Sequence, residues 1–246
     1  MTNIICHRGA SKYAPQNTIP AFLKAVELNA DGVEFDVHLT KDKELVVCHN
    51  YTIKETSNGR GKIKDFTLHE LKQFDFGIKF SPEFKNTRIP TLKEVLDVVK
   101  NLKIINIELK SQDVLNEELA KCVIAQVKEY SFTGDVVFSS FDLELVKIVK
   151  SIDNTLKVGA LFSPSDCARE RNFNKNIDFV KENNLQTIHP HVRYIKEKHV
   201  NKCHENGVLV NPWGVNSYEE IKRMLDIGCD SIITDETTIA MQICGR

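Results

Sequence analysis

Short runs of aliphatic and β-branched residues recur from one end of the chain to the other, and between them apolar positions return with the period of a helix. Runs bounded by turn residues predict strands at 4–6, 33–39, 104–109, 135–140, 157–162, 187–191, 208–213 and 231–234. The intervening stretches predict helices at 17–29, 91–101, 115–130, 142–152, 174–184, 195–206 and 217–227. In the helix at 115–130, Leu115, Leu119, Val123 and Val127 mark one face, and Glu117, Glu118, Lys121 and Lys128 the other. Asn17 reads as the cap of the first helix, and Gly207 and Gly228 stand where helix C-termini favour a left-handed residue.

Strands alternating with helices in this way imply βαβ units around a parallel sheet. The turn after the first strand lacks the glycine fingerprint of a dinucleotide-binding sheet, so an α/β TIM (β/α)8 barrel is favoured over an open doubly wound fold. One stretch breaks the alternation. After Leu45-Val46-Val47-Cys48-His49 the chain runs about 40 residues to the next helix, against a usual connection of roughly 2–6. Residues 51–90 are therefore expected to be a small insertion after the second strand, within a single barrel domain covering 1–246. Its basic residues, Lys54, Arg60, Lys62 and Lys64, face either an anionic substrate or, more simply, solvent.

Composition narrows the function classes. With 246 residues and 41% hydrophobic positions, the chain can bury a full core. The 33 basic and 34 acidic residues leave a net charge of -1, without a basic stripe to neutralise a phosphate backbone, so no nucleic-acid partner is expected. No apolar run approaches the roughly 20 residues that span a bilayer. The N-terminus lacks a basic segment followed by an apolar one, so the chain is expected to carry no leader and to be cytoplasmic. The seven cysteines include no CxxC pair and read as reduced, mostly buried hydrophobes. Exposed barrel helices offer a possible homodimer face, which nothing in the sequence singles out.

Catalytic groups of such barrels gather at the C-terminal ends of the strands. The first strand ends in His7-Arg8-Gly9, the second carries Glu34 and Asp36, and the third carries Glu108 and Lys110. Residues two apart on a strand share a face, so each polar pair points into one compartment. Burying bare carboxylates is costly, and two outcomes would relieve it. One is a structural ion-pair network between Glu108 and Lys110. The other is a hard divalent cation, Mg2+ or Ca2+, held by Glu34, Asp36 and Glu108. Beside such a cation, Arg8 and Lys110 suit a phosphodiester, Arg8 as a planar fork and Lys110 as a point charge. His7 and His49 are candidate acid and base. Trp213, the only tryptophan, stands at a strand end as a candidate wall for the substrate. His189 and His191 could touch a leaving group or a metal, and Asp235 reads as a helix N-cap or a hydrogen-bond anchor.

The motifs His7-Arg8-Gly9-Ala10, Ala14-Pro15-Gln16-Asn17-Thr18, Gly32-Val33-Glu34-Phe35-Asp36-Val37, Thr40-Lys41-Asp42 and Val46-Val47-Cys48-His49 resemble the N-terminal signature of glycerophosphodiester phosphodiesterases. The resemblance continues in order through Ile107-Glu108-Leu109-Lys110, Ser139-Ser140-Phe141-Asp142, Trp213-Gly214-Val215-Asn216 and Gly228 to Asp235. It implies a TIM barrel that hydrolyses glycerophosphodiesters to glycerol 3-phosphate and an alcohol. It also implies a divalent metal on Glu34, Asp36 and Glu108, His7 and His49 as the general acid/base pair, and Arg8, Lys110 and Trp213 lining the substrate site. Gln16 and Asn50 depart from that pattern, each replacing a carboxylate by an amide. The alternatives are a lysophospholipase D- or phospholipase C-like enzyme, a Schiff-base aldolase on Lys110, and an inactive glycerophosphodiester-binding protein.

Overall fold

A computed structural model describes residues 1–112 and 115–246. In chain order the elements are β1 (Asn3–His7), α1 (Ile19–Glu27), β2 (Gly32–Leu39), β3 (Leu45–Val47), α2 (Leu68–Leu71), α3 (Leu92–Val99) and β4 (Ile104–Leu109). They continue with α4 (Asn116–Lys128), β5 (Asp135–Ser140), α5 (Leu143–Ile152), β6 (Lys157–Phe162), α6 (Pro164–Cys167) and α7 (Glu170–Glu182). The last are β7 (Thr187–Pro190), α8 (Glu197–Glu205), β8 (Leu209–Val210), α9 (Tyr218–Asp226), β9 (Ser231–Thr234) and α10 (Thr237–Ile243).

Eight strands pair in parallel in the order β8-β7-β6-β5-β4-β2-β1-β9. The seam between β8 and β9 is closed by a parallel bridge between Trp213 and Ile233 and by the Ile233 N–H donating to the Pro212 carbonyl at 2.9 Å. The result is the expected α/β barrel, nearly closed. The strand predicted at 208–213 shortens to Leu209–Val210, because Pro212 has no N–H with which to continue a ladder. The ninth strand, β3, folds back antiparallel on the end of β2, pairing Val47 with Val37 and Leu45 with Leu39.

Alternation along the strands sorts two kinds of residue. Val33, Phe35 and Val37 of β2 and Ile105, Ile107 and Leu109 of β4 belong to the core between sheet and helices, which turns Glu34, Asp36, Asn106 and Glu108 toward the barrel axis. Phe22 of α1 meets Phe35 edge to face at 5.6 Å. Helices begin where the sequence caps them: Thr91 and Glu94 form a reciprocal capping box at α3, as do Ser217 and Glu220 at α9. Gly207 and Gly228 follow α8 and α9 with φ of 71° and 78°, as expected of C-terminal caps. Asn17 is not the cap of α1. Thr18 takes that position, and Asn17 turns inward at a φ of 57°. The helix α7 begins at Glu170, before the predicted 174, and α10 was not anticipated because its Thr237-Thr238-Ile239 start is β-branched.

Between β3 and α3, buried Ile53, Ile63, Leu71, Phe76 and Ile89 pack with Val46 and Cys48 into a cluster separate from the main core. This segment stands over the C-terminal end of β2. Its Lys54, Arg60, Lys62 and Lys64 are exposed. Among the described residues, no helix is long and apolar enough to cross a membrane.

Candidate active site

The C-terminal strand ends surround a cavity of about 330 Å³ with two unlike walls. His7, Arg8, Glu34, His49 and Glu108 make one, and Phe141, Leu161, Trp213 and Ile233 make the other. Asp36 and Lys110 are buried out of contact with the cavity, directly behind its carboxylates.

The turn after β1 sets the first part of the geometry. Arg8 and Gly9 both take left-handed backbone, at φ of 58° and 75°, and a Cβ on Gly9 would lie 2.8 Å from the Ala21 carbonyl carbon. This bend aims the Arg8 N–H at Glu34 Oε2, 3.0 Å away, and carries the guanidinium across the floor, where Nη1 donates to Gln16 Oε1 at 2.6 Å. Arg8 Nε lies 3.7 Å from Asp36 Oδ2, is buried and has no hydrogen-bond acceptor.

Glu34, Asp36 and Glu108 each offer an oxygen lying within 4.8 Å of the others. All three are buried. Burial, then the charges of Asp36 and Glu108, push the Glu34 carboxyl well above its ordinary range. Burial and Asp36 push Glu108 up to about 7. Burial alone would raise Asp36 too, but Lys110, His49, Arg8 and the Asn17 amide overcome it and hold that carboxyl low. Lys110 donates to Glu108 Oε1 at 2.7 Å and lies 3.2 Å from Asp36 Oδ1, and these two carboxylates keep it charged despite its burial. The ion-pair network foreseen for Glu108 and Lys110 therefore exists, yet Lys110 and Arg8 together bring two positive charges to three carboxylates. Two oxygen-rich groups forced toward protonation, with a third ionised beside them, are the chemistry of a hard-cation site.

The two histidines are held differently. His7 Nδ1 donates to Asp235 Oδ1 at 2.8 Å, and Asp235 also accepts from Ser11 Oγ at 3.0 Å and Asn216 Nδ2 at 2.6 Å. Against the rise from its burial, these bonds, His7 foremost, hold Asp235 at about 2. Asp235 is thus the hydrogen-bond anchor of the two roles anticipated; Glu236 is the cap position of α10. His49 Nδ1 donates to Asn50 Oδ1 at 2.6 Å, and burial lowers its ring pKa against the pull of Asp36. At both departures from the family pattern, Gln16 and Asn50, the amide oxygen thus keeps a hydrogen bond to a site residue.

Trp213 lines the cavity, donates from Nε1 to the Phe162 carbonyl at 3.2 Å and meets Phe141 edge to face at 5.5 Å. His189 and His191 do not reach the cavity. His189 is buried beside Thr187 Oγ1 at 2.7 Å, with its ring pKa driven down to about 3 by burial. His191 accepts from the Arg193 N–H at 3.2 Å and packs on the Trp213 ring. Sequence reasoning missed Phe141 and Asn17. Asn17 Nδ2 donates to Asp36 Oδ2 at 2.7 Å, and its side chain is what the left-handed turn brings under the carboxylate. Asn17→Gly keeps that backbone and removes only the amide, so it is expected to lower stability by ~1–3 kcal/mol, the cost of a buried acceptor left unpaired. Denaturant unfolding checks this; an unchanged midpoint would show that the Asn17 amide contributes nothing.

A sequence profile of the glycerophosphoryl diester phosphodiesterase family matches residues 7–239. The glycerophosphodiester phosphodiesterase of Caldanaerobacter subterraneus subsp. tengcongensis is 42% identical over 236 residues, 96% of this chain and 94% of that protein. The glycerophosphodiester phosphodiesterase of Bacillus altitudinis is 32% identical over 247 residues, 99% of this chain and 98% of that protein. Among solved structures, a glycerophosphodiester phosphodiesterase of Thermotoga maritima superposes with a TM-score of 0.79 at 30% identity, covering 100% of this chain and 99% of that one. A phosphodiesterase of Oleispira antarctica, solved with its product sn-glycerol 3-phosphate, has the same fold, with a TM-score of 0.91 at 24% identity and coverage of 100% and 98%. With the profile and these relatives spanning nearly its whole length, the chain belongs to the glycerophosphoryl diester phosphodiesterase family and is an enzyme that hydrolyses phosphodiesters.

Proposed function

We propose that this cavity hydrolyses glycerophosphodiesters to sn-glycerol 3-phosphate and an alcohol, with His7 and His49 as general acid and base and a divalent cation, Mg2+ or Ca2+, on Glu34, Asp36 and Glu108. The observation that carries it is that two imidazoles line one cavity with the Glu34 and Glu108 carboxylates, while Asp36 lies buried within reach of both carboxylates. When bound, the cation would supply Lewis-acid stabilisation of charge on the phosphoryl oxygens. Oxygen ligands alone, without a histidine or thiolate in the cluster, favour Mg2+ or Ca2+ over zinc.

The chain's own residues divide the remaining work. Arg8, which lines the cavity, binds a nonbridging phosphate oxygen through its guanidinium. Lys110 holds Asp36 and Glu108 in place and adds positive charge behind them. Trp213 forms the apolar wall against the carbon skeleton of the glycerol. His49 lines only this cavity and is biased toward the neutral imidazole, with Nδ1–H tied to Asn50, so its Nε2 is free to take the proton of the nucleophile. His7 faces both this cavity and the groove beyond it, and with its Nδ1–H held by Asp235 its Nε2 is the atom left to protonate the departing alcohol. Residues 1–246 would work as one barrel domain with 51–90 as an inserted subdomain. All seven cysteines are free, which suits a reducing, cytoplasmic setting.

The test is release of glycerol 3-phosphate from glycerophosphocholine, glycerophosphoethanolamine and glycerophosphoglycerol, with and without each metal. Metal-dependent release from at least one is expected. No release from any of them, or a cyclic or headgroup phosphate as the final product, would overturn the proposal.

A further inference from the structure

His7 and Arg8 line a second cavity as well as the first. It is an open groove of about 360 Å³, bounded by Lys12, Gln16, Phe80, Asp235 and Glu236. A smaller groove of about 140 Å³ shares Gln16 and Phe80 with it and extends the path to Glu55 and Lys79. The path thus runs between the turn after β1 and the inserted segment, and it shares His7 and Arg8 with the first cavity.

An in-line displacement puts the departing alcohol opposite the nucleophile, so with His49 on the nucleophile's side of phosphorus the alcohol departs on the side of His7. With the phosphate at Arg8 and the glycerol against Trp213, that alcohol emerges past His7 into this groove. Two features of the groove describe what it would hold. The Phe80 ring is 44% exposed yet braced edge to face by Phe84 at 5.5 Å, so an aromatic face is presented to the groove at little ordering cost. The charges beyond Arg8 are Asp235, Glu236 and Glu55 against Lys12 and Lys79. Lys12 and Glu236 pair with each other, Asp235 is held by His7, and Lys79, which donates to the Lys54 carbonyl, stands against Glu55. An aromatic face in a groove whose own charges pair off attracts a cation that carries its own apolar bulk.

We infer that the groove is the alcohol subsite and that Phe80, on the inserted segment, selects amino alcohols bearing a quaternary ammonium over neutral alcohols. The inference rests on the proposed glycerophosphodiesterase reaction and adds the identity of the departing group. The groove contacts neither the acidic cluster nor His49, so its effect falls on recognition of the alcohol.

The experiment compares kcat/KM for glycerophosphocholine with that for its neutral carbon isostere, the 3,3-dimethylbutyl ester, in the parent and in Phe80→Ala and Phe80→Trp. The parent is expected to favour the choline ester about tenfold, the Phe80→Ala ratio to fall close to one, and Phe80→Trp to retain the preference. Equal kcat/KM for the two esters in the parent, or an unchanged ratio in Phe80→Ala, would overturn the inference while leaving the hydrolysis intact. Failure of the parent to release glycerol 3-phosphate from either ester would instead overturn the proposed reaction, and the subsite with it.

Discussion

Replacing His49 or His7 by alanine is expected to lower kcat at least ~100-fold, the smaller end of a general acid–base contribution, with little change in KM. Both rings are partly exposed at the cavity and neither belongs to the buried core, so the variants should fold. Leaving-group chemistry separates the two roles. A glycerophosphodiester whose alcohol is p-nitrophenol departs as a stable anion and needs no proton. On that substrate the His7→Ala defect should shrink by an order of magnitude or more, whereas His49→Ala should lose as much as on glycerophosphocholine. Turnover within a few-fold of the parent in either variant on the choline ester would remove that histidine from the chemistry. The same rescue by p-nitrophenol in His49→Ala rather than His7→Ala would reverse the assignment.

Chelation is expected to abolish turnover, with Mg2+ or Ca2+ restoring it, and to change stability in a pH-dependent way. Glu108 titrates near 7 in the fold against an ordinary value of 4.5, because burial and Asp36 disfavour its charge. A carboxyl with a raised pKa stabilises the fold below its unfolded value, and that contribution is lost as pH rises through the folded pKa. The metal-free enzyme should therefore lose thermal stability from Glu108 between about pH 4.5 and 7, and Glu34 shifts in the same direction. A cation binds the ionised cluster, so millimolar Mg2+ or Ca2+ should raise Tm more at pH 8 than at pH 5. Glu108→Gln removes one of the repelling charges. It should make the metal-free protein more stable at pH 8, blunt its response to metal and lower kcat. Scanning calorimetry reads the two stability effects and initial rates read kcat; a Tm indifferent to both cations at pH 8, with turnover unaffected by chelator, would dismiss the cation site.

Much of this arrangement was legible before any coordinates. A strand places every second residue on one face, so Glu34 with Asp36 and Glu108 with Lys110 had to share compartments, and parallel strands bury both faces. Partners were therefore required, and a cation or an ion pair were the choices. The structure contains the ion pair and leaves enough uncompensated carboxylate for the cation. The 187–191 run was harder: period-two logic put His189 and His191 on one face, but β7 ends at Pro190, and His191 turns away into the following turn.

Periodicity, turn residues and the two-residue spacing of charged groups are local properties, and from them the sequence by itself determined the barrel, its helices and which carboxylates face inward. Tertiary structure decided what depends on contacts between distant positions. His7 meets Asp235 across 228 residues of chain, because β1 pairs with β9. Asn17 reaches Asp36 because a left-handed turn spends it on a carboxylate instead of a helix cap. Phe80 comes to stand beside His7 and Arg8 because the inserted segment packs its own small core on β3. A side chain's alternation is set by its own strand; its partner is set by which strands and loops close around it, and that closure is a property of the whole barrel.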